Sequence, residues 1–201
     1  MISDEHNFIF IHVPKTGGNS IQKVLLPFSD NYMVPNDPEK TGADRFAIRS
    51  KTLDIVKHSS LSDYQRQLDP ERFTRYFKTT CIRNPWDRCV SFFFSPHRGS
   101  VDWSHEAFET FIQESVKPDS DFLRLSPGDV DPFDNIDLML RYENLDEDFA
   151  LLCEKLGIGK HILPRINVSS RGPYRSYYND RTIELVASKF ALEISRFKYA
   201  F

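Results

Sequence analysis

An apolar strand, a turn containing two glycines and a helix follow one another near the start of the chain. Residues 8–13 are β-branched or aromatic and apolar on both faces apart from His12, which predicts a buried strand of a parallel sheet. Pro14 ends this strand, a glycine pair follows, and residues 19–26 predict a helix. This succession of strand, glycine turn and helix opens nucleotide-binding α/β folds, so it restricts the chain to that class.

The rest of the sequence continues to alternate between strand and helix patterns. Further strands are predicted at residues 53–57, 77–82 and 136–140. Helices are predicted at residues 60–76 with a break near Pro70, 85–94, 104–115, 145–156 and 180–194. Loops are predicted at residues 27–43, 117–133 and 159–178. The alternation predicts a three-layer α/β/α structure with a mostly parallel central sheet, and 201 residues suit a single domain over residues 1–201.

Composition excludes several classes of protein. The chain is 13% aromatic with 17 Phe, whereas disordered chains are poor in aromatic residues. A formal net charge of −3 argues against a general nucleic-acid-binding protein, and no apolar run approaches the ~20 residues that span a bilayer. The polar N-terminus does not resemble a signal peptide. Cys81, Cys89 and Cys153 lack the spacing of a disulfide framework or a zinc site. We therefore expect a cytoplasmic protein without a structural metal, and its oligomeric state stays open.

The turn after the first strand carries the first predicted anion site. Two glycines let the backbone approach an anion closely, and the first N–H groups of the following helix face it. The residues predicted to bind the anion are Lys15, Thr16, Gly17, Gly18, Asn19 and Ser20. In the usual phosphate-binding loop the lysine follows the glycines, whereas Lys15 precedes them, and no acidic strand end offers a magnesium ligand. The alternative is an ordinary strand-to-helix turn that happens to contain two glycines.

A second anion site is predicted after the strand at residues 77–82. Arg83 stands at the carboxyl end of that strand, where α/β proteins bind their ligands, and its planar fork suits a phosphate. Ser91 lies about two turns into the next helix and can turn its hydroxyl toward the same anion. The alternative is that Arg83 pairs with Asp87 and that Ser91 is an ordinary helix serine.

Together these segments resemble the sulfotransferases that use 3′-phosphoadenosine 5′-phosphosulfate (PAPS). The run from Lys15 to Ser20 resembles their 5′-phosphosulfate loop, and Arg83-Asn-Pro with Ser91 resembles their 3′-phosphate motif. Residues 140–145 and 197–201 are similar to the carbohydrate-type branch of this family. The resemblance implies the P-loop-NTPase-like fold of that family in a small single-domain member, with PAPS as donor and no metal.

The resemblance also implies in-line transfer of the sulfuryl group to an acceptor hydroxyl or amine. Lys15 is expected to stabilise the charge on the oxygen that leaves with the 5′-phosphate. His58 is the expected general base, because related carbohydrate enzymes carry a histidine in a similar place and histidine titrates near neutral pH. His12 and Glu143 are the alternative bases. Arg171, beside a glycine in the late loop, is expected to close the 3′-phosphate site.

The implied acceptor is a carbohydrate hydroxyl, with a small hydroxylated metabolite or a peptide tyrosine as alternatives. Neither a nucleic acid nor a membrane span is expected. Two other functions compete with sulfuryl transfer. A magnesium-dependent nucleotide kinase of related fold would gather its ligands around one triphosphate tail, which the position of Lys15 disfavours. A non-catalytic nucleotide-binding protein is disfavoured because both anion motifs and a base are present.

Overall fold

A four-stranded sheet lies at the centre of the protein, and a separate two-stranded hairpin lies beside it. The computed structural model describes residues 1–35, 46–166 and 171–201. Within these ranges the strands are β1 (Ile2–Ser3), β2 (Phe8–Ile11), β3 (Asn31–Pro35), β4 (Phe46–Ser50), β5 (Phe77–Ile82) and β6 (Leu138–Arg141). The helices are α1 (Gly18–Leu25), α2 (Leu61–Gln67), α3 (Pro70–Arg75), α4 (Pro85–Phe93), α5 (His105–Ser115), α6 (Ser120–Leu123), α7 (Leu145–Leu156), α8 (Asp180–Lys189) and α9 (Ala191–Phe197).

The central sheet has the strand order β1-β2-β5-β6. Strands β2, β5 and β6 run parallel to one another, and the two-residue β1 pairs antiparallel with β2. Phe8 lies opposite Phe77, and Thr79 lies opposite Leu138. The predicted mostly parallel sheet is therefore confirmed. Because parallel strands end at the same edge of a sheet, the turns after β2, β5 and β6 meet there.

Alternating side chains of β2 bury both faces of the sheet. Phe8 and Phe10 are fully buried in a cluster with residues of α1 and α7, including Ile21 and Phe149. Ile9 and Ile11 are fully buried on the other face, in a cluster with residues of α2, α3 and α6. Helices on both faces give the three predicted layers. Each fully buried Phe or Ile contributes roughly 1.5–3 kcal/mol, so this short strand is firmly fixed.

Helix α4 is held between the sheet edge and a third apolar cluster. The Asn84 side chain caps its N-terminus by accepting the N–H groups of Trp86 and Asp87 at 3.0 and 3.3 Å. Phe93, near the other end of α4, is buried among residues of α5 and α8 such as Phe108. The helix thus begins directly at the carboxyl end of β5, as the sequence predicts.

The strand predicted at residues 53–57 is wrong. Ile55 is buried but Val56 is 45% exposed, and His58 lies in a turn. Gln67 of α2 takes the place of a neighbouring strand: its Oε1 accepts the Asp54 N–H at 2.7 Å and its Nε2 donates to the Asp54 carbonyl at 3.0 Å. A side chain 13 residues away therefore satisfies this backbone.

Two of the predicted loops contain regular structure. Within 27–43, β3 pairs antiparallel with β4 and sets Met33 opposite the buried Ile48, while residues 36–43 lie outside the described residues. Within 117–133, α6 forms because Leu123 is fully buried against the sheet. Both predicted loops are wrong at these residues, since distant contacts rather than local patterns fix the strand and the helix.

The predicted final helix is two helices, α8 and α9, which meet at Phe190. Phe190 is fully buried, and its ψ of 29° departs from regular helix. The predicted loop at 159–178 holds one 3₁₀ turn at Tyr174–Tyr177, and its residues 167–170 are outside the described ranges. Of the helices described, none has both the length and the apolar character that crossing a bilayer requires.

Candidate active site

A cavity of about 660 Å³ opens at the carboxyl edge of the parallel strands. It is bordered by the turns after β2, β5 and β6, by residues 57–58 and by the late loop at residues 171–173. Eight of the predicted site residues line it: Lys15, Gly17, Gly18, Asn19, His58, Arg83, Ser91 and Arg171. The sheet therefore brings together residues that are up to 156 positions apart in the chain (15 to 171).

Two predicted residues lie behind the loop rather than on the described cavity wall. Thr16 is fully buried, and its hydroxyl donates to the Val13 carbonyl at 2.9 Å. Ser20 is 8% exposed, and its N–H donates to the Gly17 carbonyl at 3.0 Å as α1 begins. The Thr16 hydroxyl shapes the turn from inside, which the sequence pattern does not distinguish from contact with a ligand.

Both glycines of the turn are required by close packing. Gly17 has a φ of 89°, and a Cβ there would lie 2.9 Å from the Leu145 side chain. A Cβ on Gly18 would lie 2.0 Å from the His12 ring, which no side chain can tolerate. Lys15 also adopts a left-handed conformation, with a φ of 70°, which is strained for a residue with a side chain.

The Lys15 side chain reaches across the cavity toward the end of α4. Its Nζ donates to the Ser95 hydroxyl at 3.3 Å. Burial, together with the positive charges of Arg83, Lys57 and Arg171, lowers the pKa of Lys15 to about 8. A negatively charged ligand would relieve both the desolvation and the repulsion between these cations. An anion bound beside Lys15 would therefore raise its pKa and favour its charged form.

Arg83 contacts the partner residue named in each of its two sequence interpretations, Ser91 and Asp87. Its Nη1 donates to the Ser91 hydroxyl at 3.2 Å and to the Lys15 carbonyl at 3.0 Å. Its Nε and Nη2 donate to one carboxylate oxygen of Asp87 at 2.8 and 2.7 Å. The Tyr142 ring lies 3.7 Å from the guanidinium carbon and covers one face of the fork.

Arg171 joins this cluster from the late loop. Its Nη2 donates to the second carboxylate oxygen of Asp87, so one carboxylate bridges two arginines. Asp87 is itself absent from the described cavity wall, while both arginines belong to it. The carboxylate therefore holds the two guanidinium groups side by side from behind, which is the arrangement that a multiply charged phosphate needs.

Two histidines of the cavity wall lie in contact with each other. The ring centroids of His12 and His58 are 4.5 Å apart, and His58 Nδ1 is 2.9 Å from the His12 carbonyl oxygen. Because a carbonyl only accepts, Nδ1 carries the hydrogen, and Nε2 of a neutral His58 ring is left as the basic nitrogen. His12 is 4% exposed and bonds Gln22 at 2.9 Å. Burial, with help from the charges of His58 and Lys57, puts the pKa of His12 well below its usual range.

The alternative base, Glu143, is engaged elsewhere. One of its oxygens accepts the Asn84 N–H at 2.6 Å, and the other accepts the Tyr199 hydroxyl at 3.2 Å. Glu143 is not part of the described cavity wall. It joins the end of β6 to the start of α4 and to the C-terminal segment, which is a structural arrangement.

Sequence reasoning missed four polar residues of the cavity: Lys57, Ser95, Arg98 and Tyr142. The ammonium group of Lys57, the residue before His58, is partly desolvated, and this burial lowers the pKa of Lys57 to about 8. Tyr142 directly follows β6 at the edge where ligands bind, which is a signal that could have identified it. Ser95 follows the end of α4, and only the folded chain shows its contact with Lys15.

The charge of the cavity is of one sign. Lys15, Lys57, Arg83, Arg98 and Arg171 line it, and the described residues of its wall include no Asp or Glu. Within residues 1–35, 46–166 and 171–201, no group of three or more His, Cys, Asp or Glu side chains is arranged to hold a metal ion. The site is therefore built from cations, hydroxyls and imidazoles, which are groups that bind anions and move protons.

Comparison with known proteins gives a family for this arrangement. Residues 1–200 match the sequence model of a family described as the sulfotransferase family. Carbohydrate sulfotransferase 10 of Homo sapiens is 24% identical over 250 residues, a match that covers 98% of this chain and 66% of the human protein. Carbohydrate sulfotransferase 10 of Xenopus laevis is 31% identical over 100 residues, which cover 46% of this chain and 24% of the frog protein. This chain thus spans less than two thirds of the length of these curated relatives.

Two further matches come from an uncharacterised protein and from a solved structure. An uncharacterised protein of Archaeoglobus fulgidus is 32% identical over 108 residues, which cover 51% of this chain and 86% of that protein. Among solved structures, mouse sulfotransferase SULT7A1 complexed with PAP matches with a TM-score of 0.49 and 15% identity. That match covers 94% of this chain and 86% of the mouse chain.

Proposed function

Since the chain belongs to the sulfotransferase family, whose model matches residues 1–200, we propose that it transfers a sulfuryl group from PAPS to an acceptor hydroxyl or amine. The single observation that carries the proposal is one cavity lined by two clusters of cationic and polar residues from different segments of the chain. Lys15 and its glycine turn form one cluster, and Arg83, Ser91 and Arg171 form the other. A donor with a 5′-phosphosulfate and a 3′-phosphate requires two such clusters.

In this proposal the Lys15 turn binds the 5′ end of the donor. Gly17 and Gly18 let the start of α1 approach the phosphosulfate closely, and Asn19 adds a polar side chain. The Lys15 ammonium group stabilises the negative charge that develops on the oxygen leaving with the 5′-phosphate. Desolvation makes this interaction stronger than the same contact would be in water.

The 3′-phosphate is bound by the second cluster. Arg83 presents its Nη1 between Ser91 and the Lys15 carbonyl, and Arg171 adds a second guanidinium group. Asp87 keeps both forks in place, and Tyr142 restricts the tilt of Arg83. Paired arginines discriminate a nucleotide with a 3′-phosphate from one without it.

His58 is the proposed general base for the acceptor. Its Nδ1 donates to the His12 carbonyl, so a neutral ring carries its basic nitrogen at Nε2, and this nitrogen is the proposed acceptor of the hydroxyl proton. His12 is less suited to this role, because burial strongly disfavours its protonated form. A carbohydrate hydroxyl is the proposed acceptor, which the names of the human and frog relatives support.

Thermal unfolding with nucleotides tests the proposal directly. Adenosine 3′,5′-bisphosphate at about 100 times its Kd should raise Tm by about 5–10 °C, since such saturation stabilises by about 2.7 kcal/mol. 5′-AMP and ATP with magnesium are the matched controls and should give smaller shifts. A shift with magnesium ATP alone would instead indicate a kinase, and no shift with any nucleotide would contradict the donor site.

A further inference from the structure

Two consecutive carbonyl groups of the Lys15 turn are held by two arginines of one segment. Arg83 Nη1 donates to the Lys15 carbonyl at 3.0 Å, and Arg88 Nε donates to the Pro14 carbonyl at 2.9 Å. Arg83 belongs to the second anion site, but Arg88 is fully buried and is not part of the described cavity wall. The function described so far gives Arg88 no role.

Burying the charged guanidinium group of Arg88 costs desolvation free energy. Arg88 lies at a fractional exposure of zero and pairs with Asp119, which is 2% exposed, at 2.5 Å. Its Nη1 also donates to the Lys117 carbonyl at 2.9 Å, while its Nη2 has no hydrogen-bond partner among the described residues. A buried ion pair of this kind is often no more stable than apolar residues of the same size. Its value therefore lies in fixing a geometry rather than in adding stability.

The geometry that needs fixing is the conformation of Lys15. Its φ of 70° is strained for a residue with a side chain, and such a conformation persists only when the surroundings impose it. Capturing the carbonyls on both sides of the Lys15 amide and Cα leaves the peptide planes no freedom to rotate.

We propose that Arg88 is a positioning residue, which holds the Pro14 carbonyl so that Lys15 keeps its left-handed conformation and its ammonium group stays in the cavity. Asp119 balances the buried charge of Arg88. The segment after β5 then builds both anion sites: Arg83 binds one end of the donor, and Arg88 shapes the turn that binds the other. The inference rests on the proposed function only for the identity of the ligand.

The test uses the full chain with the double substitution Arg88→Met and Asp119→Asn. This variant buries no unpaired charge and keeps a side-chain acceptor at position 119, so we expect it to fold. Without a donor to the Pro14 carbonyl, amide hydrogen exchange in a peptide covering residues 13–20 should accelerate by about 10-fold or more. The Kd for 5′-AMP should rise by about 10-fold, because a hydrogen bond from a charged group is lost, while the Kd for 3′-AMP stays unchanged.

Two controls separate positioning from a general loss of stability. Arg196→Met removes another arginine–aspartate contact, from Arg196 of α9 to Asp134 at 2.8 Å, and should change none of these values. In a Lys15→Ala background, the double substitution should no longer affect 5′-AMP binding, since its effect acts through Lys15. If the double variant does not fold, Arg88→Lys replaces it, because lysine keeps the charge but lacks the fork.

Unchanged exchange at residues 13–20 in a folded variant would overturn the proposal. So would an equal weakening of 5′-AMP and 3′-AMP, because that result indicates a general disturbance of the cavity. Should the unsubstituted chain bind neither nucleotide, the proposed function fails, but hydrogen exchange in the unliganded protein still decides whether Arg88 holds the turn.

Discussion

The surroundings of Lys15 in the unliganded protein disfavour its charged form. Burial and three neighbouring cations lower its pKa to about 8, from an ordinary value of 10.5. The fraction of protonated Lys15 in the free protein therefore falls as the pH rises through 8, well below the pH at which an exposed lysine loses its proton. The rate of a reaction that needs this charge therefore begins to fall at a lower pH than it would with an exposed lysine.

We expect kcat/KM to fall above about pH 8, by up to about tenfold per pH unit, because this parameter reports the ionisation of free enzyme. In Lys15→Arg the rate is lower at every pH, but the limb near pH 8 should disappear, since a guanidinium group stays protonated. Lys57, whose pKa is also about 8, is the matched control. A limb that persists in Lys15→Arg and vanishes in Lys57→Arg would assign it to Lys57.

His58 supplies a second prediction at the scale of one residue. Substitution His58→Ala should lower kcat by about 10²–10⁴-fold, the usual contribution of a general base. The Kd for adenosine 3′,5′-bisphosphate should stay within about twofold, because the imidazole serves the acceptor and not the donor in this mechanism. Gln22→Ala, which removes the partner of His12, is the comparison variant. Equal activity of His58→Ala and the unsubstituted protein would exclude His58 as the base.

Among secondary-structure elements, those with strong local signals were predictable. Strand β5 and helix α4 lie close to their predicted positions, because residues 83–85 turn the chain directly after the strand and Pro85 suits the first position of a helix. The strand predicted at 53–57 failed because Gln67 of α2 bonds its backbone instead. The hairpin of β3 and β4 was missed because neither strand is specified without its partner.

The same distinction applies to the elements that build the candidate site. The turn at residues 14–20 and the segment at 83–91 could be predicted as parts of the candidate site, because each carries its polar and cationic residues within a few positions. Their mutual contacts could not, since the bonds from Arg83 and Arg88 to the turn join residues 68 and 74 positions apart. Lys57 and Ser95 enter the cavity by packing alone, and no local pattern marks them.

The whole molecule separates its net charge from the charge of its cavity. The formal net charge is −3, yet five cationic side chains line one cavity whose described wall has no carboxylate. Field lines from such a cluster concentrate in the concave site, so an anion is attracted even by a protein that is negative overall. The association rate should therefore depend on the local charge.

The association rate constant of adenosine 3′,5′-bisphosphate, measured by stopped flow, should fall by about tenfold or more as ionic strength rises from 0.01 to 0.15 M, over which the Debye length shrinks from about 30 to about 8 Å. Unphosphorylated adenosine is the control and should show little dependence on salt. A rate that increases with salt would mean that the net negative charge, and not the cavity, governs the encounter.

The hydrogen bonds from Arg83 and Arg88 to the Pro14–Lys15 turn limit which parts of this chain can be exchanged with those of a relative. A turn transplanted alone would lack the two guanidinium groups that donate hydrogen bonds to its carbonyls. A chimera that carries the turn together with residues 83–91 and Asp119 would keep both arginines that bond the turn and the carboxylate that pairs with Arg88. The smallest unit that can be grafted is therefore made of three pieces of chain that are distant in sequence and joined only in the fold.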